Sequence, residues 1–293
     1  MNVTDTEIDQ KYLKSIRKAF LKLAGTRLTR IEAGLTSKQA DYFKIIPLLY
    51  HVNHPLLPGY IDKTTPCGLS NYTPSSLQKL IVKSLTKSFE LKSRAQFKYQ
   101  ISSLFLMGSM GTLGQSGDSD IDLWICLDEA LDQINYKKLV DKSTRIKEWF
   151  ASNGIELNFY IVNNSDFKTN KKKVIAADNC GNTQKYLLLD EFYRTSVWLA
   201  GKWPLWWLIP INEEYDKYAK RLVSQKHIDE YEWIDFGEVK VIPPNEYLSS
   251  AIWQLYKSIE SPYKSFVKLV VLETYAKNYP CKGILSDEFK RII

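Results

Sequence analysis

Leu106-Met-Gly-Ser-Met-Gly-Thr-Leu-Gly-Gln-Ser-Gly-Asp-Ser-Asp-Ile-Asp-Leu-Trp124 joins a glycine-rich turn to two carboxylates placed two residues apart. One apolar run, residues 104–107, enters this stretch, and a second, residues 121–127, leaves it. Apolar runs bounded by glycine and serine read as strands joined by a turn. Successive side chains on a strand point to opposite faces, so Asp120 and Asp122 project together, about 6–7 Å apart along the strand. Carboxylates so spaced suit a pair of Mg²⁺ ions, which in two-metal sites lie about 3.5–4 Å apart and clamp both oxygens of a phosphoryl displacement. Gly108 and Ser109, at the end of the first strand, would let the backbone approach a triphosphate.

The pattern continues past the second strand. A helix is expected over residues 130–152, stopped by Asn153-Gly154, and a strand over 155–162. That strand sets Ile155, Leu157, Phe159 and Ile161 on one face and Glu156, Asn158 and Tyr160 on the other. Glu156 is therefore a candidate third carboxylate. Residues 168–173 form a charged run, read as a solvated mobile loop with a substrate-covering lid as the alternative.

Helical periodicity dominates elsewhere. Upstream it predicts helices over residues 6–24, with Thr6 and Asp9 in a variant capping box, over 41–50, and over 73–89 from the Thr73-Pro74 start. Downstream it predicts 184–200, then 245–260 and 262–278, split at Ser261-Pro262. The tryptophan-rich residues 203–211 read as a core or interdomain aromatic cluster, being too short to cross a bilayer. These patterns divide the chain into a helical region, 1–92, a domain of strands and helices that holds the candidate site, 93–210, and a helical region, 211–293. Ser286-Asp287-Glu288 opens a helix that only five residues follow, whereas an isolated helix needs about 12–15 residues to persist. A piece of a longer protein is the expectation.

Composition narrows the class. The 293 residues are 44% apolar, enough for an ordinary core, and 40 basic against 33 acidic residues leave a net charge of +7. That balance suits a polyanionic ligand but is too diffuse to point to nucleic acid, and no nucleic-acid partner is expected. Cys67, Cys126, Cys180 and Cys281 lie far apart without a C-x-x-C pattern, as reduced thiols do. Residues 1–10 are polar, unlike an export signal, and no apolar run reaches the length of a membrane span. A cytoplasmic protein is the expectation.

Other chemistries fit poorly. The turn lacks G-K-[ST] and G-x-G-x-x-G, so it is neither a common ATPase phosphate loop nor a dinucleotide loop. His51, His54 and His227 are the three histidines, and His51-x-x-His54 without nearby cysteine is a poor zinc pattern. No G-x-S-x-G elbow supports Ser-His-Asp catalysis.

Gly108-Ser109, ten residues, then Asp-apolar-Asp resembles the signature of the nucleotidyltransferase superfamily related to DNA polymerase β. The likeness sharpens over the whole stretch 106–124, which resembles one signature of the class I adenylate cyclases of enteric and related bacteria. Glu246-Tyr-Leu-Ser-Ser-Ala-Ile-Trp-Gln-Leu-Tyr-Lys-Ser-Ile-Glu-Ser-Pro-Tyr-Lys264 resembles the other. His54-Pro-Leu-Leu-Pro-Gly-Tyr60, and Asp178-Asn-Cys-Gly-Asn-Thr-Gln184 leading into Leu188-Leu-Asp-Glu-Phe-Tyr-Arg-Thr195, are similar to that family as well. Gly111, Asp118 and Leu248-Ser249 depart from its usual residues, while Gly108, Ser109, Asp120 and Asp122 all stand.

The resemblance implies an α+β nucleotidyltransferase fold, a mixed sheet with flanking helices between helical N- and C-terminal parts. It also implies conversion of ATP to 3′,5′-cyclic AMP and pyrophosphate with Mg²⁺. Asp120 and Asp122 would bind metal, and Glu156 would complete the metal site or accept the 3′-hydroxyl proton. Ser109 and the turn's N–H groups would hold the β- and γ-phosphates, helped by Gln115 or Ser116. Lys257 and Lys264, near helix ends, are candidate phosphate cations, the bland alternative being a solvated surface. Trp253 and Tyr256 read as core, with adenine stacking the alternative. Family members also carry a C-terminal regulatory region coupled to sugar uptake. An intermolecular nucleotidyltransferase, or a nucleotide-binding regulatory fragment without turnover, would use the same residues.

Overall fold

The computed structural model describes residues 8–91, 99–112, 114–115, 119–169, 184–279 and 284–293, apart from the side chains at 166, 167 and 169. At its centre lies a four-stranded mixed sheet. Its strands are β1 (Ser103–Met107), β2 (Ile121–Leu127), β3 (Leu157–Asn163) and β4 (Val197–Gly201), in the order β3-β2-β1-β4. β1 runs antiparallel to β2 and β4, whereas β2 and β3 are parallel. Parallel neighbours need a crossover, and a long helix at Gln133–Ala151 provides it.

Both sheet faces are covered, which is why β2 is apolar at nearly every position. One face presents Leu104, Leu106, Ile121, Leu123, Ile125 and Leu157 to a core shared with Leu48, Ile146 and Phe150. The other presents Phe105, Met107, Trp124, Cys126 and Val162 to Phe192, Trp206 and Leu222. On this second side Trp124 stacks on Phe192 with ring centroids 5.4 Å apart, and Trp206 stacks on Tyr193 at 4.4 Å. The tryptophan-rich stretch is thus core, as its length suggested.

The first helix, α1, spans Gln10–Ala33 with Asp9 as its cap, whose side chain accepts from Lys11 N–H; Thr6 lies outside the described residues. It runs nine residues beyond the expected stop at Ala24. Gly25 interrupts the apolar stripe, but Ile31 is fully buried and Arg27 hydrogen-bonds the Arg194 and Ser196 carbonyls, so tertiary contacts carry the helix on.

The expected helix 41–50 is two: α2 (Ser37–Lys44), with a Thr36/Gln39 capping box, and α3 (Ile46–His51). Pro47 cannot continue a helix in register, so the chain restarts at Ile45. The third, α4, is shorter than expected at Ser76–Leu85, because Ser75 rather than Thr73 caps it.

The crossover helix at Gln133–Ala151 is α5, and α6 (Asn164–Thr169) follows β3. Lys168, read as part of a mobile loop, belongs to α6 and is paired with Asp235 at 2.6 Å. Residues 170–183 lie outside the described part. The helix expected over 184–200 ends at Thr195 as α7 (Lys185–Thr195), and Val197–Gly201 forms the edge strand β4 instead. Val197, Trp198 and Leu199 favour a strand, and pairing with β1 decides the matter.

The region after 210 is less helical than its pattern suggested. A two-residue strand β5 (Trp203–Pro204) pairs with β6 (Trp233–Ile234), and α8 (Tyr215–Ser224) lies between them. Residues 235–243 carry no helix. Then come α9 (Pro244–Lys257), α10 (Pro262–Lys277) and α11 (Leu285–Ile292). Asp190 of α7 binds the last two: its carboxylate accepts from the Tyr275 hydroxyl, Ser286 N–H and the Arg194 guanidinium at 2.7–2.8 Å. Among the described residues no helix is long and apolar enough to cross a membrane.

Candidate active site

β1 ends at Met107, and the chain turns at Gly108 with a φ of +83°, a conformation that L side chains rarely adopt. A Cβ at this position would sit 2.7 Å from Asp122 Oδ2, so glycine lets the turn press against that carboxylate. Strand register supplies the rest. Met107 pairs with Asp122, and Asp122 in turn with Asn158. Asp120 lies one residue ahead of β2, where its Oδ2 accepts from Asn158 Nδ2 at 3.1 Å, and the Tyr160 hydroxyl reaches Asp122 Oδ1 at 3.4 Å. The two acids therefore share one sheet face with Asn158 and Tyr160, beside the turn at Gly108 and Ser109.

Both acids are half-buried. Burial, with the charge on Asp120 added to it, pushes the Asp122 carboxyl up to about 6, against the opposing pull of Asn158, Tyr160 and Lys268. Two like charges in a partly desolvated place repel, and a cation between them would reverse that penalty. Among the described residues no group of three or more His, Cys, Asp or Glu is arranged to hold a metal ion. The pair alone still fits Mg²⁺, which commonly binds through one or two carboxylates and completes its shell with substrate phosphates and water.

The turn is fastened to the end of α1. Gly111 N–H donates to Gln115 Oε1 at 2.8 Å, Gln115 Nε2 reaches the Ile31 carbonyl at 3.4 Å, and Arg30 donates to the Gly111 carbonyl at 3.1 Å. Gln115 thus has its amide committed to the turn, while the Ser109 hydroxyl bonds the Ser119 hydroxyl at 3.1 Å. Ser116 lies outside the described residues.

Glu156 is not brought to the acid pair. β3 begins two residues later than expected, at Leu157, and the Glu156 side chain is exposed while its carbonyl accepts from Ile121 N–H at 2.8 Å. Lys257 closes α9, paired with Glu260 at 3.8 Å and lying over the Trp253 ring, and Lys264 is exposed in the first turn of α10. Trp253 and Tyr256 stack on each other, but Tyr256 is 62% exposed, so this pair is not core. The helix side that buries residues is the one carrying Glu246, Ser250 and Gln254.

A different lysine acts on the site through its charge. Lys268 of α10 bridges to Glu191 Oε1 of α7 at 3.2 Å, and its charge acts on Asp122. Lys268, foremost, and Arg194 hold the Glu191 carboxyl below its usual range despite burial. Sequence spacing alone does not select Lys268 from its neighbours, because the choice depends on how α10 packs on α7. Glu246 fixes α7 in turn, its Oε2 accepting from Leu187 N–H at 2.9 Å.

An acid pair pressed against a tight turn, with a lysine held nearby, defines a site suited to a divalent cation and a polyanion. Residues 12–207 match the family model described as adenylate cyclase NT domain, and residues 242–293 match adenylate cyclase, class-I, second domain. The chain belongs to the class-I adenylate cyclase family. It is 34% identical to the adenylate cyclase of Escherichia coli K12 over 284 residues, covering 96% of this chain and 34% of that protein. Against the adenylate cyclase of Proteus mirabilis it is 35% identical over 285 residues, covering 96% of this chain and 33% of that protein. The chain therefore spans about a third of the length of these relatives. No solved structure matches it.

Proposed function

We propose that the chain is the catalytic part of an adenylate cyclase, built on a nucleotidyltransferase-type sheet, that converts ATP into 3′,5′-cyclic AMP and pyrophosphate. The observation that carries this reading is the meeting of Asp120 and Asp122 at the Gly108 turn in a chain of this family. In the reaction the ribose 3′-oxygen bonds to the α-phosphorus, the hydroxyl proton leaves, and pyrophosphate departs with the bridging oxygen. Nucleophile and electrophile belong to one molecule, so the protein has chiefly to fold ATP into an attack geometry and balance its charge. Asp120 and Asp122 would hold Mg²⁺, as a pair of ions shared with the triphosphate, and the metal would neutralise phosphate charge.

The chain's own groups complete the assignment. N–H groups of the turn and the Ser109 hydroxyl take the β- and γ-phosphates, while Gln115 and Arg30 keep the turn in place. Lys268 supplies the cation from residues 211–293, with Glu191 orienting it. Glu156, being exposed, stays outside this assignment, and Glu156→Gln serves as a control expected to retain near-normal turnover.

The test is incubation of purified chain with ATP and Mg²⁺ followed by chromatography. Cyclic AMP and pyrophosphate in equal amounts support the reading. Nucleotidyl label on an acceptor would make the chain an intermolecular transferase, and bound but unchanged ATP would make it a binding fragment.

A further inference from the structure

Helices α9 and α10 leave a band of large apolar side chains open to solvent. The buried residues of α9 are polar, Glu246, Ser250 and Gln254, whereas α10 buries Ser265 together with Leu272 and Tyr275. Their solvent side is apolar: Leu248 and Ile252 on α9, Ile259 just past its end, and Tyr263, Phe266 and Val270 on α10, all between 47% and 81% exposed. Residues 248 and 252 fall at helical spacing i and i+4, and 263, 266 and 270 at i, i+3 and i+7, so each set makes one stripe, with Ile259 in the turn between them. The two helices pack against each other, so the stripes lie on neighbouring elements. Large side chains this exposed each offer on the order of 100 Å², and the face exceeds the few hundred Å² that a monomeric protein ordinarily leaves bare. A surface helix of a closed domain turns its apolar stripe inward.

What covers the face follows from where it lies. All six residues fall within 242–293, the part that matches the class-I second domain. The relatives carry about twice as much polypeptide outside the aligned region as within it, since 284 aligned residues make up 34% of the Escherichia coli protein. We propose that the outward face of α9 and α10 is a docking surface for the polypeptide that the longer cyclases of this family carry beyond the aligned region, seated by apolar packing. Val267 is exposed on α10, and the adjacent Lys268 pairs with Glu191 and acts by its charge on Asp122.

The experiment compares two polypeptides, each carrying Val267→Cys. One is the chain alone, and the other is the chain extended by the segment that follows the aligned region in the Escherichia coli adenylate cyclase. Iodoacetamide labelling of residue 267 is followed by peptide mass spectrometry. The chain alone should label fast at every protein concentration and the extended chain at least about tenfold more slowly. Adding Ile252→Glu with Phe266→Glu should leave the melting temperature of the chain alone unchanged and restore fast labelling in the extended one. Equal labelling of both polypeptides overturns the proposal. So does protection of the chain alone that grows with its concentration, which would make a second copy the occupant. Protection conferred only by phosphatidylglycerol vesicles would make it a membrane surface.

Discussion

Replacing Gly108 by alanine tests the site where backbone and chemistry meet. Two penalties add. A left-handed backbone costs a residue with a Cβ about 1–2 kcal/mol, and Gly108 sits at φ +83°. The new methyl would also lie 2.7 Å from Asp122 Oδ2, well inside the roughly 3.5 Å of a relaxed non-bonded contact, so the carboxylate has to move by the better part of an ångström. A displacement near 1 Å at a reacting centre can lower a rate by about 10²-fold. Gly154→Ala separates the two effects, since Gly154 also has positive φ (+72°) but nothing within 4 Å of its would-be Cβ. Thermal unfolding should show both variants losing about 2–8 °C, from roughly 2–4 °C per kcal/mol at this chain size. Cyclic AMP formation should fall about 10–100-fold in Gly108→Ala alone. Equal turnover in the two variants, or wild-type turnover in Gly108→Ala, would refute the argument that the turn positions Asp122.

Three further outcomes follow from charged side chains. Asp190→Ala strands the Arg194 guanidinium, the Tyr275 hydroxyl and Ser286 N–H, so denaturant titration should show a loss of about 3–5 kcal/mol, as for other broken buried pairs. Lys142 is 1% exposed, donates to the Val52 carbonyl, and is brought by burial down to about 8. Its unfolded value is higher, so the unfolded chain binds the extra proton between the two values and stability rises with pH there. The resulting penalty, on the order of 3 kcal/mol at 1.36 kcal/mol per pH unit, is full below pH 8. Lys142→Met should therefore be more stable than wild type at pH 7, with the gap narrowing towards pH 10; a constant gap would contradict this. Lys268→Ala should raise the KM for ATP about tenfold, equivalent to about 1.4 kcal/mol, and shift the acid limb of the pH profile upward, because the lysine charge opposes protonation of Asp122.

Much of this architecture was legible in residue pattern. The strand, turn, strand, helix, strand order of 103–163 follows from apolar runs and glycine punctuation, and two-residue periodicity places Asp120 and Asp122 on one face. What stayed hidden depends on contacts distant in sequence. Val197–Gly201 is short and follows a helix without a break, so only pairing with β1 marks it as a strand. The extension of α1 past Gly25 depends on Arg27 and Ile31 meeting the sheet edge and the glycine turn. Glu156 lies just ahead of β3 with its side chain exposed, and where a strand begins is what alternation alone does not fix. Lys257 and Lys264 drew attention through their helix ends, whereas Lys268 pairs with Glu191 because α7 and α10 are tied through Asp190.

The most direct test of the central claim, that Asp120 and Asp122 together with the Gly108 turn form a seat for metal-bound triphosphate, is calorimetric titration with ATP in Mg²⁺. It compares wild type with Asp122→Asn, both shown to be folded by circular dichroism. The account predicts saturable binding by wild type that weakens at least about tenfold in the variant. Superimposable isotherms would contradict it.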